Sequence, residues 1–180
     1  MSTTLEKLKF PIGKHEKPAS ITPELMEQYI STIAAFPAKL KKEVIHLNDG
    51  QLDSPYRPDG WTIRQVVHHC ADSHMNALIR FKLALTEDNP VIKPYHEEIW
   101  AELADSKTME IAPSLTLLEG LHARWAQLLR SLSPSDLERS FIHPAHGNKV
   151  LLNENTSIYA WHGEHHLAHI TELKKRQNWN

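Results

Sequence analysis

The sequence predicts an all-α fold, an up-down four-helix bundle with long connections, on three observations. Glycine is scarce, 6 in 180 residues, while 41 % of residues are hydrophobic and 23 % charged, the balance of a packed globular chain rather than a disordered or turn-rich all-β one. Apolar residues recur at 3.6-residue spacing in long stretches preceded by capping residues. Finally, histidine is unusually abundant at 13 residues, and four of these fall on one face if Trp161–His169 is helical.

Residues 1–20, with Phe10-Pro11-Ile12-Gly13 and Lys17-Pro18, read as an irregular arm packed on the rest, too short to hold a core of its own. Thr22-Pro23-Glu24 starts the first helix, an N-cap with proline at the first helical position, and Leu25, Met26, Tyr29, Ile30 and Ile33 continue its apolar face. Pro37 is expected to break or kink it. A loop over Gln51–Gly60 leads to Thr62-Ile63-Arg64-Gln65, a capping box that opens a helix from Ile63 to about Leu85. Asp88-Asn89-Pro90 ends that helix, and Tyr95–Ala104 is expected to form a short helix inside a connection that crosses the bundle end. Ser114 is the expected cap of the third helix, with Leu117, Leu118, Leu121, Trp125, Leu128, Leu129 and Leu132 as its core stripe. Ser133-Pro134-Ser135-Asp136 starts a short turn, and Ser140–Pro144 with Lys149–Leu151 around Gly147 is expected to pair as a minor β-hairpin. Asn153 is the expected cap of the fourth helix, which runs through the histidines to about Arg176.

The whole chain, 1–180, is expected to form one domain, long enough to bury an adequate core without a metal or disulfide. Its net charge of -2 and short basic runs, Lys39-Leu40-Lys41-Lys42 and Lys174-Lys175-Arg176, leave no electrostatic footprint for nucleic acid. No stretch approaches the roughly 20 apolar residues of a membrane span. A single cysteine, Cys70, and an N-terminus without a continuous apolar run point to the cytoplasm.

The chemistry concentrates in Trp161-His162-Gly163-Glu164-His165-His166-Leu167-Ala168-His169. Burying unpaired ring nitrogens costs about 1–3 kcal/mol each, so a cation is an economical way to satisfy them. His162 with His166, and His165 with His169, both have the i,i+4 spacing that lets two rings converge on one ion, and spacing alone does not choose between them. A third ligand must come from a facing helix, where His68-His69 is the other histidine pair; adjacent helical residues point about 100° apart, so at most one of these enters comfortably. Asp72, Ser73 and Asn76 share the face of His69 and are placed to orient its ring. Cys70 points about 100° away and reads as a small buried hydrophobe, Trp61 and Trp161 are placed to line a pocket, and His15, His46, His96, His122, His143 and His146 carry no spacing signal.

Gly60-Trp61-Thr62-Ile63-Arg64-Gln65-Val66-Val67-His68-His69, continued to Asn76, and Trp161-His162-x3-His166-x2-His169 resemble the YfiT-like branch of the DinB superfamily, as do Phe10–Gly13, Pro37–Leu40, Tyr95 and Asp105–Thr108. The resemblance runs almost end to end, with Cys70 in place of the usual leucine and Gly163-Glu164 in the histidine run as mild departures. It implies a four-helix bundle, a homodimer, and a metal-dependent hydrolase acting on a small-molecule substrate. By that resemblance His69, His162 and His166 hold one divalent ion per subunit, zinc or nickel; because more than three protein ligands would leave no open position for chemistry, His68, His74, His165 and His169 are expected to be structural or supporting. Three neutral imidazoles leave the ion its full charge, able to acidify water and polarise a carbonyl or phosphoryl oxygen. No acid or base identifies itself, Asp72, Glu164 and His165 being candidates by proximity alone. The alternatives are an S-transferase that activates a low-molecular-weight thiol of the bacillithiol type, and a metal-binding interaction protein or sensor without turnover.

Overall fold

The computed structural model describes residues 4–145 and 147–179, with only the backbone of Thr4, so the assignment of His146 lies outside the described residues. Four long helices dominate it: α2 (Pro23–Val44), α4 (Ile63–Thr86), α7 (Ala112–Arg130) and α9 (Leu152–Gln177). Short helices fill the connections: α1 (Thr4–Lys9), α3 (Asp49–Leu52), α5 (Glu97–Trp100), α6 (Ala104–Thr108) and α8 (Pro134–Leu137). The N-terminal arm is therefore not wholly irregular.

Two of the expected starts are present. The Thr22 hydroxyl accepts from Leu25 N at 3.3 Å ahead of Pro23, and Thr62 and Gln65 complete their capping box, with bonds of 3.2 and 2.9 Å. Two others are corrected. Helix α7 begins at Ala112, leaving Ser114 inside it, and α9 begins at Leu152, ahead of Asn153. In both, the apolar residues Ile111 and Leu151 occupy the N-cap with no side-chain bond; burial of Leu115 and Leu152 holds these ends where capping chemistry would not. The break expected at Pro37 is absent, because α2 runs through it.

Contacts between the helices set their directions. Glu27 meets Arg130 and Lys41 meets Glu119, so α2 and α7 are antiparallel. Lys39 meets Glu164 and Glu43 meets Lys174, so α2 and α9 run together. His68 bonds Ser114, and Phe81 packs on Trp125, making α4 and α7 parallel, whereas Ser73 meets Tyr159 across the antiparallel α4–α9 pair. Taken in chain order, the long helices run up, down, down, up. Both α2 and α4 pack against α7 and α9, which places α2 and α4 on a diagonal. The parallel α4–α7 pair needs a connection that returns along the whole bundle, and residues 87–111 supply it. Gln65 and Arg64 hold this return by donating to the carbonyls of Ala101 and Met109.

The expected hairpin forms, with β1 (Ser140–His143) antiparallel to β2 (Asn148–Leu151) and Phe141 opposite Val150. Two apolar clusters make the core: one includes Phe36, Leu40, Val67, Leu118 and Ile170, the other Ile30, Phe81, Trp125, Phe141 and Leu152. The stripe expected on α7 is corrected: Leu117 is 44 % exposed and Leu121, Leu128 and Leu132 are only partly buried, while Leu115, Leu118, His122, Trp125 and Leu129 face inward. Leucine on both sides of the helix hid this, and so did a histidine on the buried face.

Candidate metal centre

The midsections of the long helices, between the two apolar clusters, carry a layer of histidines. Helix α4 contributes His69 and His74, α7 contributes His122, and α9 contributes His162, His165, His166 and His169. Gly163 lets α9 approach α2 closely, since a Cβ there would lie 2.9 Å from Cδ2 of Phe36.

His69, His162 and His166 each present a ring nitrogen such that all three atoms lie within 4.8 Å of one another, with His69 and His166 buried and His162 partly buried. The Nε2 atoms of His69 and His162 stand 3.4 Å apart. That is long for a hydrogen bond, whose usual length is about 2.9–3.0 Å, and it matches the roughly 3.3 Å that separates two ligands about 2.0–2.1 Å from a tetrahedral ion. The donor set thus suits a divalent ion of the zinc type. The Nδ1 atoms of His165, His166 and His169 are all buried without a hydrogen-bond partner among the described residues, so this feature does not set the three ligands apart.

His165 and His169, the other i,i+4 pair, are engaged elsewhere. His165 stacks on Trp161 with centroids 4.4 Å apart, and His169 bonds the Lys9 carbonyl at 3.0 Å and stacks on Tyr56 at 3.9 Å. His68 turns away from the cluster to Ser114 and the Met109 carbonyl. The expectation that the polar neighbours of His69 orient it is not met: Ser73 bonds Tyr159, and Asn76 bonds the Asp72 carbonyl. Trp61 instead packs on His69, its centroid 4.6 Å away. Cys70 is fully buried, and burial raises its thiol pKa, consistent with the hydrophobic role.

The cluster opens into a cavity of about 510 Å³ walled by Trp61, Trp161, Phe10 and Tyr56, with Arg57, Asp59, Glu97 and Glu98 at its polar edge. Trp61 and Trp161 were expected there; the polar groups, which lie outside both histidine motifs, Gly60–Asn76 and Trp161–His169, were not. Of the acid–base candidates, Glu164 is paired with Lys39 at 2.7 Å, while Asp72, raised to about 6 by burial and then by Asp105, does not line the cavity. His165 does line it. Glu97 is raised by burial and by Glu98, against the opposing Arg80, and it is the acid–base candidate the structure adds.

Burial holds every histidine of the layer neutral. His69, His122, His165 and His169 are lowered to about 4, and His74, His162 and His166 fall well below the ordinary value, with neighbouring rings adding to the effect. Neutral imidazole is the form that binds metal.

Residues 33–170 match the model of the DinB superfamily. The chain is 56 % identical over 171 residues to a protein of Oceanobacillus iheyensis named "Putative metal-dependent hydrolase", covering 95 % of this chain and 98 % of that one. It is 49 % identical over 177 residues to the similarly named YfiT of Bacillus subtilis, 98 % and 99 % being covered. A solved structure of that YfiT, described as a probable metal-dependent hydrolase with an unusual four-helix bundle topology, superposes with a TM-score of 0.95 over 97 % of this chain and 99 % of that one. A mycothiol-dependent maleylpyruvate isomerase shares the fold, with a TM-score of 0.58 and 18 % identity over 78 % of this chain and 60 % of that chain.

Proposed function

The chain belongs to the DinB superfamily, and from that membership we propose that it is a metal-dependent hydrolase of small molecules whose ligands are His69, His162 and His166. The observation that carries this reading is the convergence of three imidazoles from two facing helices at the floor of an open cavity. Zinc or nickel is the ion proposed, one per subunit of a homodimer, and when bound it supplies Lewis acidity toward water and a substrate carbonyl or phosphoryl oxygen. The chain itself supplies the walls and the polar edge. Trp61 and Trp161 flank the ligands and exclude water from one side, giving an apolar substrate portion a surface to lie on. Glu97, its pKa raised by burial and by Glu98, is suited to exchange a proton with a leaving group.

The test is a turnover screen of the zinc- and nickel-loaded protein and its chelator-treated form against ester, amide and phosphate substrates, run alongside electrophiles with small thiols. Metal-dependent hydrolysis that disappears in His162→Ala, together with stoichiometric metal binding, is the expected result. Turnover only with a thiol would move the assignment to S-transfer, and metal binding without any turnover would move it to a sensor or interaction protein.

A further inference from the structure

Beyond the three proposed ligands, a line of hydrogen bonds leaves the site through the core. His162 Nδ1 is 3.1 Å from His74 Nε2, His74 Nδ1 is 2.7 Å from His122 Nε2, and His122 Nδ1 is 2.6 Å from the backbone carbonyl of Ile33. His74 and His122 are each 1 % exposed. The Ile33 carbonyl would ordinarily accept from the N–H four residues on, but that residue is Pro37, which has none.

A carbonyl can only accept, so its partner must donate, and this sets every proton in the line. His122 therefore carries its proton on Nδ1 and offers a lone pair at Nε2. His74 fills that lone pair with its own Nδ1–H and in turn accepts at Nε2. The remaining donor is Nδ1–H of His162, which leaves the lone pair of His162 on Nε2, the atom 3.4 Å from Nε2 of His69. We propose that His74 and His122 are positioning residues that, anchored on the carbonyl freed by Pro37, lock His162 in the Nδ1–H tautomer and so present Nε2 to the ion. The function of the lock rests on the metal-site reading, but the tautomer can be measured without metal. The proline inside α2 and the buried pair His74 and His122 then share one explanation. An imidazole left to choose would spend part of its time with the proton on the ligating nitrogen, and the relay removes that competition before the ion arrives.

Long-range proton–nitrogen NMR correlations of the metal-free, nitrogen-15-labelled protein at pH 7.5, with rings assigned through single histidine variants, read the tautomers directly. His162, His74 and His122 should all be Nδ1–H. In His74→Phe, which keeps a ring but no nitrogen, His162 should shift toward Nε2–H, and zinc affinity measured by competition with a chromophoric chelator should fall about 10- to 100-fold. His74→Gln, which restores an acceptor near His162 Nδ1, should recover the tautomer and most of the affinity. An Nε2–H form of His162 in the wild-type protein would overturn the proposal, as would a folded His74→Phe protein with wild-type zinc affinity. Should that variant fail to fold, the wild-type tautomers decide. If they are as expected but His162→Ala still binds zinc stoichiometrically, the hydrogen-bond line stands and the metal-site reading fails.

Discussion

A buried histidine that stays neutral makes folding sensitive to acid. His69 is lowered to about 4 by burial, whereas in the unfolded chain it titrates near 6.5. The unfolded state therefore binds more protons between those values. Stability is fully present above about pH 6.5 and is lost as the pH falls toward 4, by on the order of 3 kcal/mol for His69 alone. His122, also lowered to about 4, and His74, His162 and His166, lower still, act in the same direction. In the proposed site, ligands of ordinary pKa would release an ion between about pH 6 and 5 from a chain that remains helical, whereas ligands kept neutral by burial would lose it only as the protein unfolds. Urea unfolding of the metal-free protein at pH 7.5, 6 and 5 should show a steady loss, and a flat profile would contradict this account. Gly163 is the other residue with a sharp expectation. An added Cβ would meet the Phe36 ring, itself 1 % exposed, at 2.9 Å, so Gly163→Ala should destabilise by about 1–3 kcal/mol despite its better helix propensity.

At the scale of the element, α7 shows how an amphipathic helix is misread when both its faces carry leucine. Leu118 is fully buried between the long helices, and Leu117, next to it in sequence, is 44 % exposed. Truncating Leu118 to alanine should cost roughly 2–5 kcal/mol by leaving a cavity. The same change at Leu117 should fall within about 0.5 kcal/mol. Chemical denaturation of the two variants tests the face directly, and equal losses would mean the helix is rotated from the orientation described. Helix α2 offers the complementary case: its internal proline forfeits one helical bond, yet the helix continues because a side chain from α7 bonds the freed carbonyl.

For the whole molecule, the proposed ligands come from α4 and α9, whose antiparallel packing rests on extensive apolar contacts that need no ion. The metal-free protein should therefore remain folded at neutral pH and gain stability on loading by mass action. At a free zinc concentration about 100 times Kd, the gain is about 2.7 kcal/mol, or roughly 5–10 °C in melting temperature for a chain of this size. Calorimetry with and without chelator measures it, and His162→Ala should abolish the difference. Helical signal lost on chelation at pH 7.5 would show that the ion is instead part of the core.

Local chemistry determined much of this protein from its sequence. The caps Thr22 and Thr62, the hairpin around Gly147 and the i,i+4 histidines depend on neighbours a few residues away, and such short-range patterns are legible along a chain. The His162–His166 spacing and the His68-His69 dipeptide marked the candidate site, and family resemblance selected three histidines whose ring nitrogens the fold brings within 4.8 Å of one another. Tertiary structure decided what depends on distant partners. The return of residues 87–111 along the bundle made α4 and α7 parallel and carried Glu97 to the cavity edge. Packing chose which leucines of α7 are buried, and it turned His122, a residue without spacing signal, toward a carbonyl that only Pro37 could free. A hydrogen bond spanning 89 residues leaves no periodicity behind, so the relay behind His162 became visible only once the helices were packed.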